Sequence, residues 1–473
     1  MAKWYEEAVF YHIYPIGLLG APRRNEGGDT VHRLRTLTDK WLPHISSLGC
    51  GAVYIGPLFE SSAHGYDTID YRKVDRRLGD NEDFRLFVEK AHQMDIRVVV
   101  DGVFNHTGRD FFAFRDLREK KWDSPYKDWY KWVDFNNNSG YNDGFSYESW
   151  RGCGDLANLN LWNPEVRGYL LDTVDFWIDT FDIDGIRLDC ADSLEFFFME
   201  ELRQRTEQKK RDFWLMGEVI HGDYSRWIGD GQKMLHSVTN YELWKGLWSG
   251  HNSHNYFEIA HTIRREFGTE WGIYKGMKLY TFADNHDVNR LASQLTDPRC
   301  LRAVYALVYM LPGIPSLYYG SEFGISGRKE DGGDDALRPE LHLPDEENAS
   351  GAAGSEIPHP ELPGWLRLLS KIRREHPACI SGQYREQYLT NRQYAFSRTE
   401  GADAVLVVVS NDDREAELRV PVPDVPGDAG GCNAGDRGPA RWINTADGRE
   451  LCEEDGKLHM ILPACGASVW IRG

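Results

Sequence analysis

The sequence predicts a (β/α)8 barrel, in which eight parallel strands alternate with helices. Two observations support this prediction. Short apolar runs rich in β-branched and aromatic residues alternate with longer amphipathic stretches, as they do in parallel α/β folds. The number of such runs is eight, which is the number that closes this kind of barrel. They cover residues 9–14, 52–56, 97–102, 185–190, 213–218, 235–240, 279–284 and 314–319.

Two of the stretches between these runs are typical of helices. Residues 31–49 carry apolar side chains at helical spacing. Residues 164–181 do the same, and they follow Asn163, a residue type that caps helix N-termini, with Pro164 in the first turn. We therefore expect one helix over each stretch.

The chain is longer than a barrel requires. Residues 109–160 exceed a usual loop between a strand and its helix and are rich in Asn, Gly, Trp and Tyr. From residue 378 onward, short alternating strands separated by turn residues indicate an antiparallel β-sandwich. We predict a barrel of residues 1–108 and 161–377, an inserted subdomain of residues 109–160 and a C-terminal β-sandwich domain of residues 378–473.

Charge and composition restrict the partners. The 55 Lys and Arg residues against 74 Asp and Glu residues give a formal charge of −19, which repels nucleic acid and anionic membranes. The sequence has no long apolar run of membrane-spanning length and no signal-peptide pattern at its start. The eight cysteines lack paired metal-ligand spacing. We expect a neutral substrate, no nucleic-acid or membrane partner, and a location in the cytoplasm.

Polar residues stand at the ends of four predicted strands, where the loops of a barrel form active sites. Carboxylates in this position commonly cap the next helix, so a single one means little. Three on separate strands, with Arg and His beside them, suit glycosidic cleavage, in which one carboxyl group attacks the anomeric carbon and another protonates the leaving oxygen. The residues are Asp101, Asn105 and His106; Arg187 and Asp189; Glu218; and His286 and Asp287.

The two expected reactive carboxyl groups need opposite protonation states. Arg187 precedes Asp189 by two residues and shares its strand face, so its positive charge favours the ionised form of Asp189. Glu218 has to remain protonated, which a less polar pocket would favour.

Four segments, DGVFNHTG, GIRLDCAD, GEVI and FADNHD, resemble in order and spacing the signature segments of glycoside hydrolase family 13, the α-amylase family. The resemblance extends over the barrel, the insertion and the terminal sandwich. It implies that Asp189 is the nucleophile, Glu218 the general acid/base, and Asp287 the third carboxylate, which binds sugar hydroxyls. It also implies that His106 and His286 bind the sugar at the cleaved bond.

The same resemblance extends to further substrate-binding residues. Arg187 matches the arginine of the family, and Tyr66 in HGYDTIDY matches the tyrosine that stacks under the sugar. Asp67, the next residue, resembles a carboxylate found in several branches of the family that process oligosaccharides. Arg338 in LRPEL is expected to pair with Asp67.

Within the family, HGYDTIDYRKVD, SPYKDWYKW and MLPGIPSLYYGSEFG are similar to the neopullulanase, cyclomaltodextrinase and maltogenic amylase group. That group carries an extra N-terminal β-domain, whereas the first barrel strand here begins near Val9. The resemblance implies a retaining hydrolase that cleaves α-1,4 bonds of maltodextrins, with α-1,6 cleavage left open. No cofactor is required for this chemistry.

Several alternatives stay open at this stage. The same carboxylates serve glucosyl transferases and trehalose- or sucrose-active relatives. A catalytically silent sugar-binding protein is disfavoured, because all three carboxylates are present. A structural calcium ion with Asn105 as a ligand remains an option. The acidic residues around Asp143 and Asp155 are either further ligands of that ion or solvated loop residues. The oligomeric state is open. The acidic run Glu330, Asp331, Asp334 and Asp335, after the eighth strand, is either a solvated loop or a rim of the substrate cleft.

Overall fold

The computed structural model describes residues 2–331, 333–344, 357–425 and 440–473, and it contains an eight-stranded parallel sheet. We number these strands Phe10–Ile13 (β1), Ala52–Ile55 (β2), Arg97–Gly102 (β3), Gly185–Leu188 (β4), Trp214–Gly217 (β5), Ser237–Val238 (β6), Tyr280–Phe282 (β7) and Ile314–Tyr318 (β8). Their order is β6-β5-β4-β3-β2-β1-β8-β7, and a parallel bridge between Thr239 and Tyr280 joins the two ends. The sheet therefore closes into the predicted barrel, and the fold class is confirmed.

The strands pack on both faces, which explains their apolar sequence. Every residue of β1, β2, β4 and β5 is buried, as expected for a parallel sheet covered by helices. The α-helices are Trp4–Glu7, Pro15–Leu18, Leu34–Thr36, Leu42–Ser47, Asn81–Gln93, Phe112–Lys120, Pro164–Phe181, Phe196–Lys209, Ser225–Ile228, Tyr241–Asn252, Tyr256–Phe267, Leu291–Gln294, Leu301–Met310 and Leu362–Glu375. No helix in the described ranges is long and apolar enough to cross a membrane.

Both predicted helices are present. The helix Pro164–Phe181 begins as expected, with the Asn163 side chain accepting a hydrogen bond from the Glu165 amide at 2.9 Å. The other begins at Leu34, and a π-helical turn at Leu37–Trp41 interrupts it. The 3-10 turns are Lys121–Asp123, Lys127–Trp129, Trp150–Gly152, Ala191–Ser193, Asp230–Gln232, Pro298–Cys300, Ser321–Phe323, Lys329–Asp331, Gly333–Leu337 and Pro377–Cys379.

Two short hairpins stand on the face of the barrel where the strands end. One pairs Phe59–Ser61 with Thr68–Val74 after β2. The other pairs His106–Gly108 after β3 with Leu156–Asn158, so the intervening insertion leaves and returns beside His106. The insertion therefore forms one wall of the site at the barrel mouth.

The C-terminal region is an antiparallel sandwich. Its strands are Gln383–Leu389 (β9), Gln393–Glu400 (β10), Asp403–Ser410 (β11), Ala416–Pro421 (β12), Arg441–Asn444 (β13), Glu450–Cys452 (β14), Lys457–Leu462 (β15) and Ala467–Arg472 (β16). Six of them form one sheet in the order β9-β10-β11-β16-β13-β14, while β12 pairs with β15. Buried residues of both sheets, among them Leu406, Leu418 and Trp470, share one apolar core.

Candidate active site

Arg187 is the centre of the site. Its guanidinium is buried at the end of β4 and contacts Asp101 at 2.9 Å, Asp189 at 2.8 Å and Glu218 at 2.8 Å. Tyr54 on β2 donates a further hydrogen bond to Asp101 at 2.9 Å. One rigid cation therefore positions carboxylates from three neighbouring strands.

Asp189 and Glu218 lie close together because neighbouring nitrogens of the same guanidinium hold them. The Nη1 atom of Arg187 binds Asp189 and its Nη2 atom binds Glu218. Retaining glycosidases keep their two carboxyl groups about 5–5.5 Å apart, whereas inverting enzymes keep them roughly 6.5–9.5 Å apart. A shared guanidinium favours the shorter spacing.

The residue after Asp189 turns the backbone toward Glu218. Cys190 has a left-handed φ of 36°, which is uncommon outside glycine, and its amide donates to Glu218 Oε2 at 3.1 Å. Backbone strain of this kind collects at functional sites. The Cys190 side chain is buried, as expected for a small hydrophobe.

Burial raises the pKa of Asp189 to about 8, with Asp101 and Glu218 adding to the rise and Arg187 opposing it. Asp101 and Glu218 contact the same guanidinium, so Asp189 shares this cation with two other carboxyl groups. Arg187 nevertheless keeps the pKa of Asp189 lower than burial alone would set it. The ionised form of Asp189, which is the form that can attack a sugar, is therefore the form that Arg187 stabilises.

Asp287 has a different environment. Its carboxylate contacts His286 Nε2 at 2.9 Å and Arg338 at 2.8 Å. Burial opposes its ionisation, but His286 and Arg338 hold the pKa of Asp287 well below its ordinary value. Asp287 therefore remains a carboxylate that can accept hydrogen bonds from sugar hydroxyls.

Two aromatic rings flank His286. Tyr66 stacks against its imidazole at 5.7 Å and contacts Nε2 through its hydroxyl at 2.5 Å. Tyr14, at the end of β1, stacks on it as well, at 5.9 Å. Flat rings beside a polar carboxylate provide a surface for a sugar ring.

His106 is held in a neutral form. Burial lowers the pKa of His106 to about 3. The Asn105 amide lies 3.3 Å from Nδ1, while the buried Nε2 atom has no protein partner. If Asn105 donates to Nδ1, the Nε2–H is free to donate to a substrate hydroxyl. Side-chain atoms of His106, Asp189 and Cys190 lie within 4.8 Å of one another, so His106 faces the reacting centre.

The expected pair between Arg338 and Asp67 is wrong. Arg338 binds Asp287, and Asp334 at 3.3 Å, whereas Asp67 accepts from the Gly65 amide at 3.2 Å and lies 3.7 Å from His64. The cause is local, because Asp67 turns toward its own loop, where the Gly65 amide and His64 are its neighbours. Arg338 instead orients Asp287.

Four residues of the site were missed by the sequence analysis. His12 lies on β1 and Tyr14 directly follows it, Tyr54 supports Asp101 from β2, and Tyr241 donates to Glu218 Oε1 at 3.3 Å. The sequence carried a signal for His12 and Tyr14, because polar residues two apart at the end of a barrel strand share one face. His12 packs edge-on against His286 at 5.1 Å.

The buried acid Glu266 contacts the residue that caps the helix carrying Tyr241. Asn240 caps the helix that begins at Tyr241, and its amide donates to Glu266 at 2.8 Å. Burial raises the pKa of Glu266 from 4.5 to about 8. The folded state therefore keeps a proton that the unfolded state releases, and the resulting stability, complete below pH 4.5, is lost as the pH rises through about 8.

Glu266→Gln is expected to remove this pH dependence while keeping an oxygen for Asn240. At pH 8 the variant should be more stable than the parent by a few kcal/mol, since one pKa unit corresponds to about 1.4 kcal/mol. Thermal unfolding from pH 5 to 9 measures the effect, with the exposed Glu270→Gln as matched control. Parallel pH profiles for parent and Glu266→Gln would contradict the assignment.

The candidate calcium ligands Asp143 and Asn105 have partners within the protein. Both oxygens of Asp143 are occupied by the Arg109 guanidinium, at 2.7 and 2.9 Å. Arg109 also donates to Tyr147 at 2.6 Å, and the Asn105 amide nitrogen lies 3.2 Å from Asn158 Oδ1. The Arg109 guanidinium therefore neutralises the Asp143 carboxylate.

Comparisons with known proteins agree with this architecture. The α-amylase catalytic-domain family matches residues 22–353. Neopullulanase 2 of Thermoactinomyces vulgaris is 29% identical over 99% of this chain and 78% of that protein. The intracellular maltogenic amylase of Bacillus subtilis is 30% identical over 69% of this chain and 57% of that protein. A solved cyclomaltodextrinase superposes with a TM-score of 0.84 and 25% identity, covering 99% of this chain and 78% of that one.

Barrel, inserted hairpin and clustered carboxylates together define a glycoside hydrolase. The chain belongs to the α-amylase family, which confirms the resemblance found in its signature segments.

Proposed function

We propose that the protein is a retaining α-glucan hydrolase that cleaves α-1,4 bonds of maltodextrins. The observation that carries this proposal is the single guanidinium of Arg187 that holds Asp189 and Glu218 side by side. The names of the relatives, a neopullulanase, a maltogenic amylase and a cyclomaltodextrinase, support the substrate class. Cleavage of α-1,6 bonds is part of the same proposal.

In the first step, a carboxylate oxygen of Asp189 attacks the anomeric carbon while Glu218 gives its proton to the glycosidic oxygen. The leaving chain departs, and the glucosyl unit remains esterified to Asp189. Asp287 and His106 bind hydroxyls of this unit, and Tyr66 supports its ring. Arg187 neutralises part of the charge that develops on the carboxylates.

In the second step, Glu218 accepts a proton from water, and the water oxygen attacks the anomeric carbon. The ester bond to Asp189 breaks, and the product is released with its original α configuration. Tyr241 and the Cys190 amide keep Glu218 oriented in both steps, since each donates a hydrogen bond to it.

Product analysis tests the proposal. Maltohexaose, γ-cyclodextrin, pullulan and sucrose would each be incubated with the protein and with Glu218→Gln, and early products followed by chromatography and NMR. We expect α-anomeric glucose, maltose or panose with the parent protein only. Consumption of sucrose alone, or products formed only when an acceptor sugar is present, would replace hydrolysis of maltodextrins with transfer. Binding of these sugars without turnover would indicate a sugar-binding protein that is not an enzyme.

We also propose that the insertion is stable without calcium, because Arg109 already neutralises the Asp143 carboxylate. Chelation by EDTA should leave the Tm unchanged. Arg109→Ala should lower the stability by roughly 3–5 kcal/mol, since it leaves the buried carboxylate of Asp143 unpaired. Arg115→Ala, an exposed arginine on the next helix, is the control. A Tm that falls with EDTA and recovers with calcium would refute this proposal.

A cytoplasmic location is proposed from the relative described as intracellular. Fractionation of the native host, with a cytoplasmic and an exported marker enzyme, tests it. Recovery of the protein with the exported marker would overturn the assignment.

A further inference from the structure

A cavity of about 530 Å³ adjoins the sugar site. Tyr14 and Arg338 belong to both, since they line the cavity and also contact His286 and Asp287. The Arg338 guanidinium lies over the Tyr14 ring at 4.5 Å, so the two side chains form the boundary. Small-ligand pockets span roughly 300–1,000 Å³, so the cavity has room for a sugar unit.

The cavity lies across the barrel from Glu218. Its lining comes from the loops after β1, β2 and β8, whereas Glu218 follows β5. In the closed order of eight strands, β5 is opposite β1. Because Glu218 protonates the leaving oxygen, the leaving chain occupies the part of the barrel mouth that is next to β5. The cavity is therefore on the side of the non-reducing part of the substrate.

The loops after β1 and β8 are packed together at this cavity. The Leu341 amide donates to the Leu18 carbonyl at 3.2 Å. A Cβ atom on Gly17 would lie 2.2 Å from the carbonyl oxygen of Arg338, so only glycine permits this approach. The two loops thus form one wall.

A buried arginine fastens the loops after β1 and β2. Arg77 donates to the Pro22 carbonyl at 2.8 Å and to the Ala63 carbonyl at 2.7 Å. The backbone amide of Asn25 also donates to the Ser62 carbonyl, at 2.9 Å. These hydrogen bonds join the loops after β1 and β2 into the second wall of the cavity.

An ion pair joins the tips of the outer loops. Arg23, after β1, contacts Asp335, after β8, at 2.5 Å. Asp334 pairs with Arg338 and with Lys329, so this part of the acidic run is bound to cations. Asp334 and Asp335 are exposed, and Asp335 also lines the cavity, so this end of the run lies at the rim.

We propose that this cavity holds the terminal, non-reducing glucosyl unit of the substrate, and that the Arg23–Asp335 bridge stops longer chains from passing through. The protein then acts from the non-reducing end of short maltodextrins. This inference rests on the proposed hydrolase function. It assigns chain-end specificity to Arg23 and Asp335, two residues that take no part in the chemistry.

The first test compares 4-nitrophenyl maltoheptaoside with the same compound blocked by an ethylidene group on its non-reducing end. We expect the parent protein to cleave the free compound and to cleave the blocked one roughly 10- to 100-fold more slowly, as a steric mismatch predicts. Equal rates would overturn the inference and leave the hydrolase function intact. Failure to cleave either compound, or maltohexaose, would refute the function itself.

Charge reversal tests the bridge. Arg23→Asp should bring the blocked compound to within a few-fold of the free one, and Arg23→Asp combined with Asp335→Arg should restore the discrimination. Arg85→Asp, on a remote exposed helix face, is the control. Unchanged discrimination in Arg23→Asp would show that the bridge does not set specificity.

Filling the cavity gives a second measurement. Ala21→Trp should lower kcat/KM for 4-nitrophenyl α-maltoside about tenfold or more and leave 4-nitrophenyl α-glucoside unaffected, because only the longer glycone reaches the cavity. Ala21→Ser is the matched control. An equal loss on both compounds, or none on the maltoside, would contradict the assignment of the cavity.

Discussion

Asp189→Asn is expected to lower kcat on maltodextrins by at least about 10³-fold, because the variant lacks the carboxylate that forms the covalent intermediate. Asparagine has the same shape but does not attack the anomeric carbon. Arg187 keeps Asp101 and Glu218 as partners in the variant, so the site retains its framework. The measurement is the initial rate on maltohexaose at saturating substrate.

Folding of the variant has to be shown separately. Burial and neighbouring carboxylates raise the pKa of Asp189, so a neutral amide removes an unfavourable interaction and the Tm should not fall. Asp192→Asn, three residues along the same loop, is the control and should keep full activity. Turnover of Asp189→Asn close to that of Asp192→Asn would disprove the role of Asp189.

The barrel was predictable because the sequence features that identify its strands and helices lie within short segments of the chain. Eight apolar runs separated by amphipathic stretches identify the strands, and Asn163 with Pro164 identifies the start of a helix. The predicted bounds of β6 and β7, residues 235–240 and 279–284, were too wide. Only Ser237–Val238 and Tyr280–Phe282 form regular strand pairs. Strand ends depend on partners that lie far away in the chain.

The reacting residues were predictable for a similar reason, since each ends a strand. The contacts of Arg338 were not, because they depend on how the loops after β1, β2 and β8 meet. The same applies to Arg109, whose partner Asp143 is 34 residues away within the insertion. Spacing along the chain predicts which residues reach the mouth of the barrel, but packing decides which of them touch.

Glu218→Gln is expected to lower kcat on maltohexaose by about 10²–10⁴-fold, the usual contribution of an acid/base group. A 2,4-dinitrophenyl α-glucoside needs no protonation of its leaving group, so its first step should remain fast in this variant. The second step still lacks a base. The glucosyl ester on Asp189 should therefore accumulate and be visible by mass spectrometry.

Azide separates this role from that of Asp189. It is a nucleophile that needs no base, so it should attack the accumulated ester of Glu218→Gln and release α-glucosyl azide, accelerating turnover. Asp189→Asn forms no ester and should give no such product. The control is Glu242→Gln, whose carboxylate pairs with Arg265. Absence of azide rescue in Glu218→Gln, or formation of the β-azide, would rule out the double-displacement mechanism with Glu218 as its acid and base.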